Sequence, residues 1–188
     1  MPSSSKAYHG ILELIDTIVT PKVTTEADEN AQQTTLSIDN TKVEVTSDSI
    51  PNKGSHTSSI NKSSMIDLGS GWGNIVLRLA KRYPNTEVIG YEVSILPWLI
   101  SILLKKLLRI NNLTLLRQDF YQVKLPDHAI IVCYLFPEAM AKINNQLLSK
   151  SKASFLISNT FALPSQEPSK TIKINDFYKS PIYLYKLD

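Results

Sequence analysis

The stretch MIDLGSGWGN, residues 65–74, is the part of the chain around which the rest is organised. It begins as a short apolar run, turns through Gly69, Gly71 and Gly73, and continues into the amphipathic residues 75–80. This pattern predicts a buried strand, a tight loop and the first turn of a helix. Glycines permit positive φ angles and let a ligand lie against bare backbone. The unpaired N–H groups at the start of the helix favour a ligand's carboxylate or phosphate.

The spacing of the glycines shows whether the loop matches the pattern of a dinucleotide-binding site. A dinucleotide site has the pattern G-x-G-x-x-G, in which the third glycine lies where the helix packs on the strand. In this chain that position is Asn74, and the third glycine comes one residue earlier, at Gly73. Asp67 also stands where a dinucleotide site usually has an apolar residue. The loop therefore departs from the dinucleotide pattern.

Composition limits the class of protein. A chain of 188 residues with 43% hydrophobic content suits one domain with a real core. The single cysteine, Cys133, cannot form an intramolecular disulfide, and no His/Cys cluster suggests a metal site. The sequence has no signal-peptide pattern and no apolar run of the roughly 20 residues that span a bilayer. We expect a cytoplasmic protein.

The N-terminal third of the chain differs from the rest in composition. Residues 7–19 predict a short amphipathic helix, because four large aliphatic residues share one stripe: Ile11, Leu14, Ile15 and Ile18. Residues 20–64 include 16 Ser or Thr among 45 residues, which is poor material for a core. Within them, 34–45 could form a two-residue hairpin. We assign residues 1–64 to a helix, a hairpin and a linker, and residues 65–188 to the main domain.

The main domain alternates apolar runs with helical patterns, which predicts an α/β fold with parallel strands and right-handed crossovers. The predicted strands cover residues 65–68, 87–92, 113–119, 128–136 and 153–158. The predicted helices cover residues 74–83, 95–110 and 137–149. The final runs, 171–175 and 182–187, could close the sheet as an antiparallel pair.

The helix predicted at 95–110 is apolar nearly all round, with 11 Ile, Leu or Trp among 16 residues. Its only charges are Lys105, Lys106 and Arg109. Such a helix is either a buried crossover helix or one whose apolar, lysine-edged face lies on a membrane or a partner.

Residues 65–188 carry 15 Lys/Arg against 9 Asp/Glu, a net charge of +6. This excess suits an acidic partner or membrane surface, or is simply a solvated lysine-rich surface.

In an open α/β sheet the ligand lies beyond the carboxyl ends of the strands, where the strand order reverses. The second predicted strand ends at Glu92, whose carboxylate can accept two hydrogen bonds from a ribose diol. The third ends at Asp119 and Phe120, an acceptor for an exocyclic amine beside a ring that can cover a base. Each acid alone could be a solvated strand end or a turn former. Their occurrence in order at successive strand ends indicates a site.

From Met65 to Leu187 the sequence resembles class I S-adenosylmethionine-dependent methyltransferases, through the motif at 67–73 and the acids that follow. The resemblance implies a Rossmann-like seven-stranded sheet, mostly parallel with the last strand antiparallel, and S-adenosylmethionine as cofactor. It implies that the glycine loop holds the methionine portion, with Asp67 near its amino group. It implies that Glu92 binds the ribose and that Asp119 and Phe120 bind the adenine. It also adds two neighbours to the cofactor site, Ser70 and Val93.

Within that superfamily, the segments 67–71, 90–92 and 97–99 resemble the small lysine methyltransferases of the ATP synthase c subunit and the adenine nucleotide translocase, and their bacterial relatives. This resemblance implies methylation of a protein lysine. Candidate residues for positioning the acceptor are Tyr134, Phe136 and Asn159. The alternatives are a methyltransferase for small molecules or RNA, and a binding module without enzymatic activity. No nucleic-acid partner is expected, because no basic strip is interleaved with aromatic residues.

Overall fold

The computed structural model describes residues 5–19, 63–164 and 166–187. The hairpin predicted at 34–45 and nearly all of the Ser/Thr-rich segment lie outside these residues. The helices are α1 (Ser5–Val19), α2 (Val76–Arg82), α3 (Ile95–Leu107) and α4 (Pro137–Gln146). The strands are β1 (Met65–Leu68), β2 (Val88–Tyr91), β3 (Leu113–Leu116), β4 (Ile130–Cys133), β5 (Phe155–Asn159), β6 (Lys170–Lys173) and β7 (Pro181–Lys186). Short 3₁₀ helices cover Phe120–Gln122 and Leu148–Lys150.

The seven strands form a single sheet in the order β3-β2-β1-β4-β5-β7-β6. β1 to β5 pair in parallel, and β7 runs antiparallel to both β5 and β6. The predicted fold, a mostly parallel sheet closed by an antiparallel strand, is therefore confirmed. From β1 the chain moves outward to β2 and β3 and then returns to β4 on the other side of β1. The strand order thus reverses between β1 and β4, where a ligand site is expected.

The observed boundaries differ from the predicted ones by a few residues. The helix expected at 74–83 begins at Val76, because the glycine loop continues in turns through residue 75. The strand expected at 153–158 runs instead from Phe155 to Asn159. The helix expected at 137–149 ends at Gln146 and is followed by a 3₁₀ turn. Helix ends often fray or tighten in this way, so such shifts are usual.

The core lies on both faces of the sheet. One cluster joins α1 and α2 to one face, and the other joins α4 and the first 3₁₀ helix to the opposite face. β4 lies between them, and all four of its residues are buried. This explains why β4 is an unbroken apolar run, since a central parallel strand is covered on both sides.

α1 confirms the predicted amphipathic helix and packs against β5 and β7. Its buried residues are Ala7, Gly10, Ile11, Leu14 and Ile15. A polar contact ties it to the end of α2, where the Tyr83 hydroxyl donates to Asp16 Oδ1 at 2.7 Å. α1 is therefore part of the same core as the sheet, although the chain between α1 and β1 is long.

α3 is a crossover helix between β2 and β3, as predicted, but it is not buried all round. Ser101 is its only fully buried residue. Trp98 anchors one side of the helix, since its indole N–H donates to the Leu115 carbonyl at 3.2 Å. Leu99 and Leu103 are 49% and 60% exposed. Leu99 and Leu103 therefore face away from the core, and only one side of α3 packs against the sheet.

None of the helices in the described part of the chain is long and apolar enough to cross a membrane.

Candidate functional site

Four strand ends meet at the reversal point of the sheet. Leu68 of β1 pairs with Tyr91 of β2 and with Cys133 of β4, and Cys133 pairs with Ser158 of β5. Parallel strands in this register end at the same edge. Four residues are therefore neighbours along that edge. Three come directly after β1, β2 and β4, and the fourth is the last residue of β5: Gly69, Glu92, Tyr134 and Asn159.

The loop after β1 turns through three left-handed glycines. The φ angles of Gly69, Gly71 and Gly73 are 74°, 52° and 81°, a region that other residues enter only with strain. The Ser70 N–H donates to the Tyr91 carbonyl at 2.8 Å, and the Gly73 N–H donates to the Ser70 carbonyl at 2.9 Å. The first bond fixes the loop against the end of β2, and the second closes the turn within the loop.

Gly71 and Gly73 have different surroundings. A Cβ added at Gly71 would have as its nearest neighbour the Gly69 carbonyl oxygen, at 4.0 Å. A Cβ added at Gly73 would lie 2.9 Å from both Leu77 Cδ1 and Ser101 Cβ. Gly71 therefore borders open space that a ligand can fill, whereas Gly73 lets the loop pack against α2 and α3.

Glu92 connects the glycine loop to the start of α3. Its Oε2 accepts a hydrogen bond from the Gly71 N–H at 2.8 Å, and its Oε1 accepts one from the Ser94 N–H at 2.7 Å. Each carboxylate oxygen has further acceptor capacity, so a diol could still bind. Ser94 stands at the N-cap position but makes no side-chain cap bond. Glu92 therefore positions the loop in addition to offering acceptors to a ligand.

Asp67, in β1, and Ser70, in the glycine loop, are buried polar residues with 2% and 7% exposure. Asp67 Oδ2 and Ser70 Oγ have no hydrogen-bond partner among the described residues. Burial raises the pKa of Asp67 from 3.8 to about 7, and Glu92 adds to the increase, while a hydrogen bond from the Val76 backbone opposes it. Unpaired buried polar atoms are uncommon, and a ligand commonly supplies the missing partner. A cationic amino group would satisfy the carboxylate and favour its charged form.

Asp119 and Phe120 follow β3 and begin a 3₁₀ helix. Asp119 Oδ1 accepts a hydrogen bond from the Tyr121 N–H at 3.0 Å, so this acid caps the turn. Phe120 is only 9% exposed and packs in the core cluster on the α4 side of the sheet. Val93, next to Glu92, is 57% exposed. Their assignment to an adenosine group remains a prediction.

The residues after β4 and β5 form an aromatic pair at the same edge. The rings of Tyr134 and Phe161 are stacked, with centroids 6.4 Å apart and planes 20° from parallel. Phe136 is 62% exposed, whereas Asn159 is 3% exposed and accepts a hydrogen bond from the Thr160 hydroxyl at 3.3 Å. Leu135, between Tyr134 and Phe136, lies 3.3 Å from the Cβ position of Gly69, so the segment that follows β4 reaches the glycine loop.

Ser101 was not anticipated as a neighbour of the glycine loop. Its signal in the sequence is that it is a small residue in the middle of an apolar helix. Cys133 is fully buried, and burial raises the pKa of its thiol to about 12, which disfavours the reactive thiolate. In the described segments no group of three or more His, Cys, Asp or Glu could hold a metal ion.

Comparisons with known proteins agree with this geometry. The model of the ANTKMT methyltransferase domain family matches residues 67–170, which is more than half of the chain. The RNA methyltransferase of Salinibacter ruber, solved with S-adenosyl-L-homocysteine, aligns with a TM-score of 0.60 and 20% identity. That alignment covers 66% of this chain and 80% of the other.

A second solved structure is the magnesium protoporphyrin IX methyltransferase of Synechocystis PCC 6803 with bound SAM. It aligns with a TM-score of 0.53 and 19% identity over 68% of this chain and 72% of the other. A search of the curated proteins finds no match. The solved structures share the fold, and the family model adds the activity. The chain belongs to the ANTKMT methyltransferase domain family and is a class I S-adenosylmethionine-dependent methyltransferase.

Proposed function

We propose that this enzyme transfers the methyl group of S-adenosylmethionine to the ε-amine of a lysine in a protein. The observation that carries the proposal is the match to the ANTKMT family over residues 67–170. It agrees with the sequence resemblance to small lysine methyltransferases. The paired aromatic rings beside the glycine loop suit a narrow aliphatic amine.

The cofactor fits the glycine-loop side of the site. Its methionine portion would lie along the glycine loop, where the backbone of Gly71 borders open space. Its amino group would pair with Asp67 Oδ2, the buried oxygen without a partner. Glu92 would accept the ribose hydroxyls. The described residues therefore offer one acid for the cationic amino group and another for the diol.

The acceptor fits the neighbouring strand ends. A lysine side chain would enter between the Tyr134–Phe161 pair and Phe136, whose ring is exposed at the start of α4. Asn159 would orient the amine, since its side chain is held by Thr160 at 3.3 Å. Glu138 is exposed in the first turn of α4, where an acid favours the helix dipole, so we give it no role in the reaction.

The reaction is an in-line displacement in which the N–C bond forms as the C–S bond breaks, leaving S-adenosylhomocysteine. The protein's task is to hold a neutral amine in line and to exclude water. A lysine with an ordinary pKa near 10.4 must first lose a proton to solvent. An aromatic slot favours the loss of this proton, because desolvation disfavours the ammonium form and lowers the pKa of the lysine. No general base is required by this scheme.

The test is to incubate the purified enzyme with radiolabelled S-adenosylmethionine and a fractionated cell lysate, followed by mass spectrometry of labelled proteins. We expect methyl groups on lysine ε-amines. Phe136→Ala and Asn159→Ala should each lower kcat by roughly tenfold or more, with less change in cofactor affinity, as expected for lost acceptor positioning. Phe177→Ala is the matched control, since Phe177 is also an exposed phenylalanine but lies in the β6–β7 turn.

Label found only in RNA or in small metabolites would contradict the lysine proposal while leaving the cofactor site intact. Equal losses of turnover in the Phe136 and Phe177 variants would contradict the proposed acceptor slot.

A further inference from the structure

The outer face of α3 is an exposed aliphatic strip. It consists of Ile95, Leu96, Leu99, Leu103 and Leu107, which are 59%, 61%, 49%, 60% and 75% exposed. Successive members are mostly three or four residues apart, so they lie on one side of the helix. A helix of 13 residues is about 20 Å long, and the strip covers its whole length. Isolated surface leucines are ordinary, but a continuous apolar patch usually marks an interaction surface.

The orientation of the strip is fixed by contacts on the opposite side of α3. Ser101 is fully buried and lies against the glycine loop, where its Cβ is 2.9 Å from the Cβ position of Gly73. Trp98 is hydrogen-bonded to the Leu115 carbonyl at 3.2 Å, and Leu104 packs on the core. Rotating the helix to bury the strip would break these contacts. The strip therefore faces away from the sheet.

The charges on α3 itself are all positive, and both carboxylate oxygens of Glu92, the acid that precedes the helix, accept hydrogen bonds from backbone N–H groups. Residues 93–118 contain no Asp or Glu. Lys105, Lys106 and Arg109 lie together at the C-terminal end of α3, and within the described segments none of the three forms an ion pair with a carboxylate. An apolar face with a basic end complements a surface that is apolar inside and negative outside.

We propose that α3 lies in the plane of a membrane surface that contains anionic lipid, with the aliphatic strip in the acyl boundary and the basic end at the headgroups. A bilayer suits this face better than a protein does. The strip offers no hydrogen-bonding group, and it lacks the aromatic residues that are enriched in protein interfaces. A helix can enter a bilayer interface without such groups, because its backbone polar groups are already paired. The proposal does not depend on the identity of the methyl acceptor.

The experiment is co-sedimentation of the full chain with two kinds of vesicle, pure phosphatidylcholine and phosphatidylcholine mixed with phosphatidylglycerol. We expect stronger binding to the anionic vesicles, weakened by salt. The variant Leu99→Gln/Leu103→Gln/Leu107→Gln should lower the partition coefficient by about tenfold or more, because it removes three apolar side chains from the contact. Since all three are exposed, the variant should keep the wild-type unfolding midpoint and affinity for S-adenosylhomocysteine.

A second variant tests the charge separately. Lys105→Gln/Lys106→Gln should weaken binding to anionic vesicles on the order of fivefold for each lysine, with little effect on neutral vesicles. Phe177→Gln/Tyr178→Gln is the control, because it removes a different exposed apolar pair, 93% and 83% exposed. This control should bind like the wild type.

Three results would overturn the proposal. The wild-type protein could fail to sediment with anionic vesicles, or the triple leucine variant could bind as well as the wild type. Sedimentation velocity could instead show a dimer that the triple variant dissociates, which would assign the strip to a second copy of the chain.

Discussion

Asp67 gives the most specific prediction about this enzyme, because its burial makes stability depend on pH. The carboxyl group is 2% exposed, and its Oδ2 has no partner among the described residues. Its pKa is raised from 3.8 to about 7, chiefly because burial disfavours the charged form. Asp67→Asn removes the ionisation while retaining nearly the same shape. The ligand-free proteins should therefore differ in how their stability varies with pH.

The sign follows from which state binds the proton. Between pH 3.8 and about 7 the native state keeps the Asp67 proton, and the unfolded state has lost it. The stability that depends on the protonated carboxyl is fully present below pH 3.8 and is lost as the pH rises through about 7. The free energy of unfolding thus falls by about 1.4 kcal/mol for each pH unit in this window. Over the window the loss is about 4 kcal/mol.

The assay is urea denaturation of ligand-free wild-type protein and Asp67→Asn across the window from acid to mildly alkaline pH. Other titrating groups cancel in the difference between the two free energies of unfolding. We expect that difference to change by about 4 kcal/mol in favour of Asp67→Asn as the pH rises. The variant should nevertheless bind S-adenosylhomocysteine more weakly, because it lacks the charge that pairs with the ligand's amino group. Parallel pH profiles for the two proteins would refute the reasoning.

Two further predictions concern the glycine loop and Glu92. Gly71→Val should abolish the binding of S-adenosylhomocysteine measured by calorimetry, because a β-branched residue resists a φ of 52° and fills the ligand's space. Glu92→Ala should weaken the binding of S-adenosylhomocysteine by roughly 1.5–3 kcal/mol. Unchanged affinity in both would place the cofactor elsewhere. Gly73→Ala should destabilise the protein by about 1–3 kcal/mol more than Gly71→Ala. Both glycines adopt a positive φ, but only a Cβ added at Gly73 would lie 2.9 Å from Leu77 and Ser101. Equal unfolding midpoints would show that these contacts relax without cost.

Much of the fold follows from local patterns in the sequence. The alternation of apolar runs and helical periods predicts a parallel sheet, and the unbroken apolar run in residues 128–136 predicts its central strand. The glycine spacing at 69–73 and the acid at Glu92 indicate the ligand edge, because consecutive strands of an α/β sheet end on the same side. The inferences about the fold succeed because backbone conformation and strand periodicity depend mainly on neighbouring residues.

The sequence did not determine which side of an element would be covered. α3 is apolar nearly all round, so its pattern could not show that Ser101 faces the loop while Leu99 and Leu103 face outward. Nor could it separate the open surroundings of Gly71 from the crowded ones of Gly73. The raised pKa of Asp67 likewise requires burial by residues distant in the chain. Burial and charge environment are properties of groups brought together in space, and only the tertiary structure decides which groups those are.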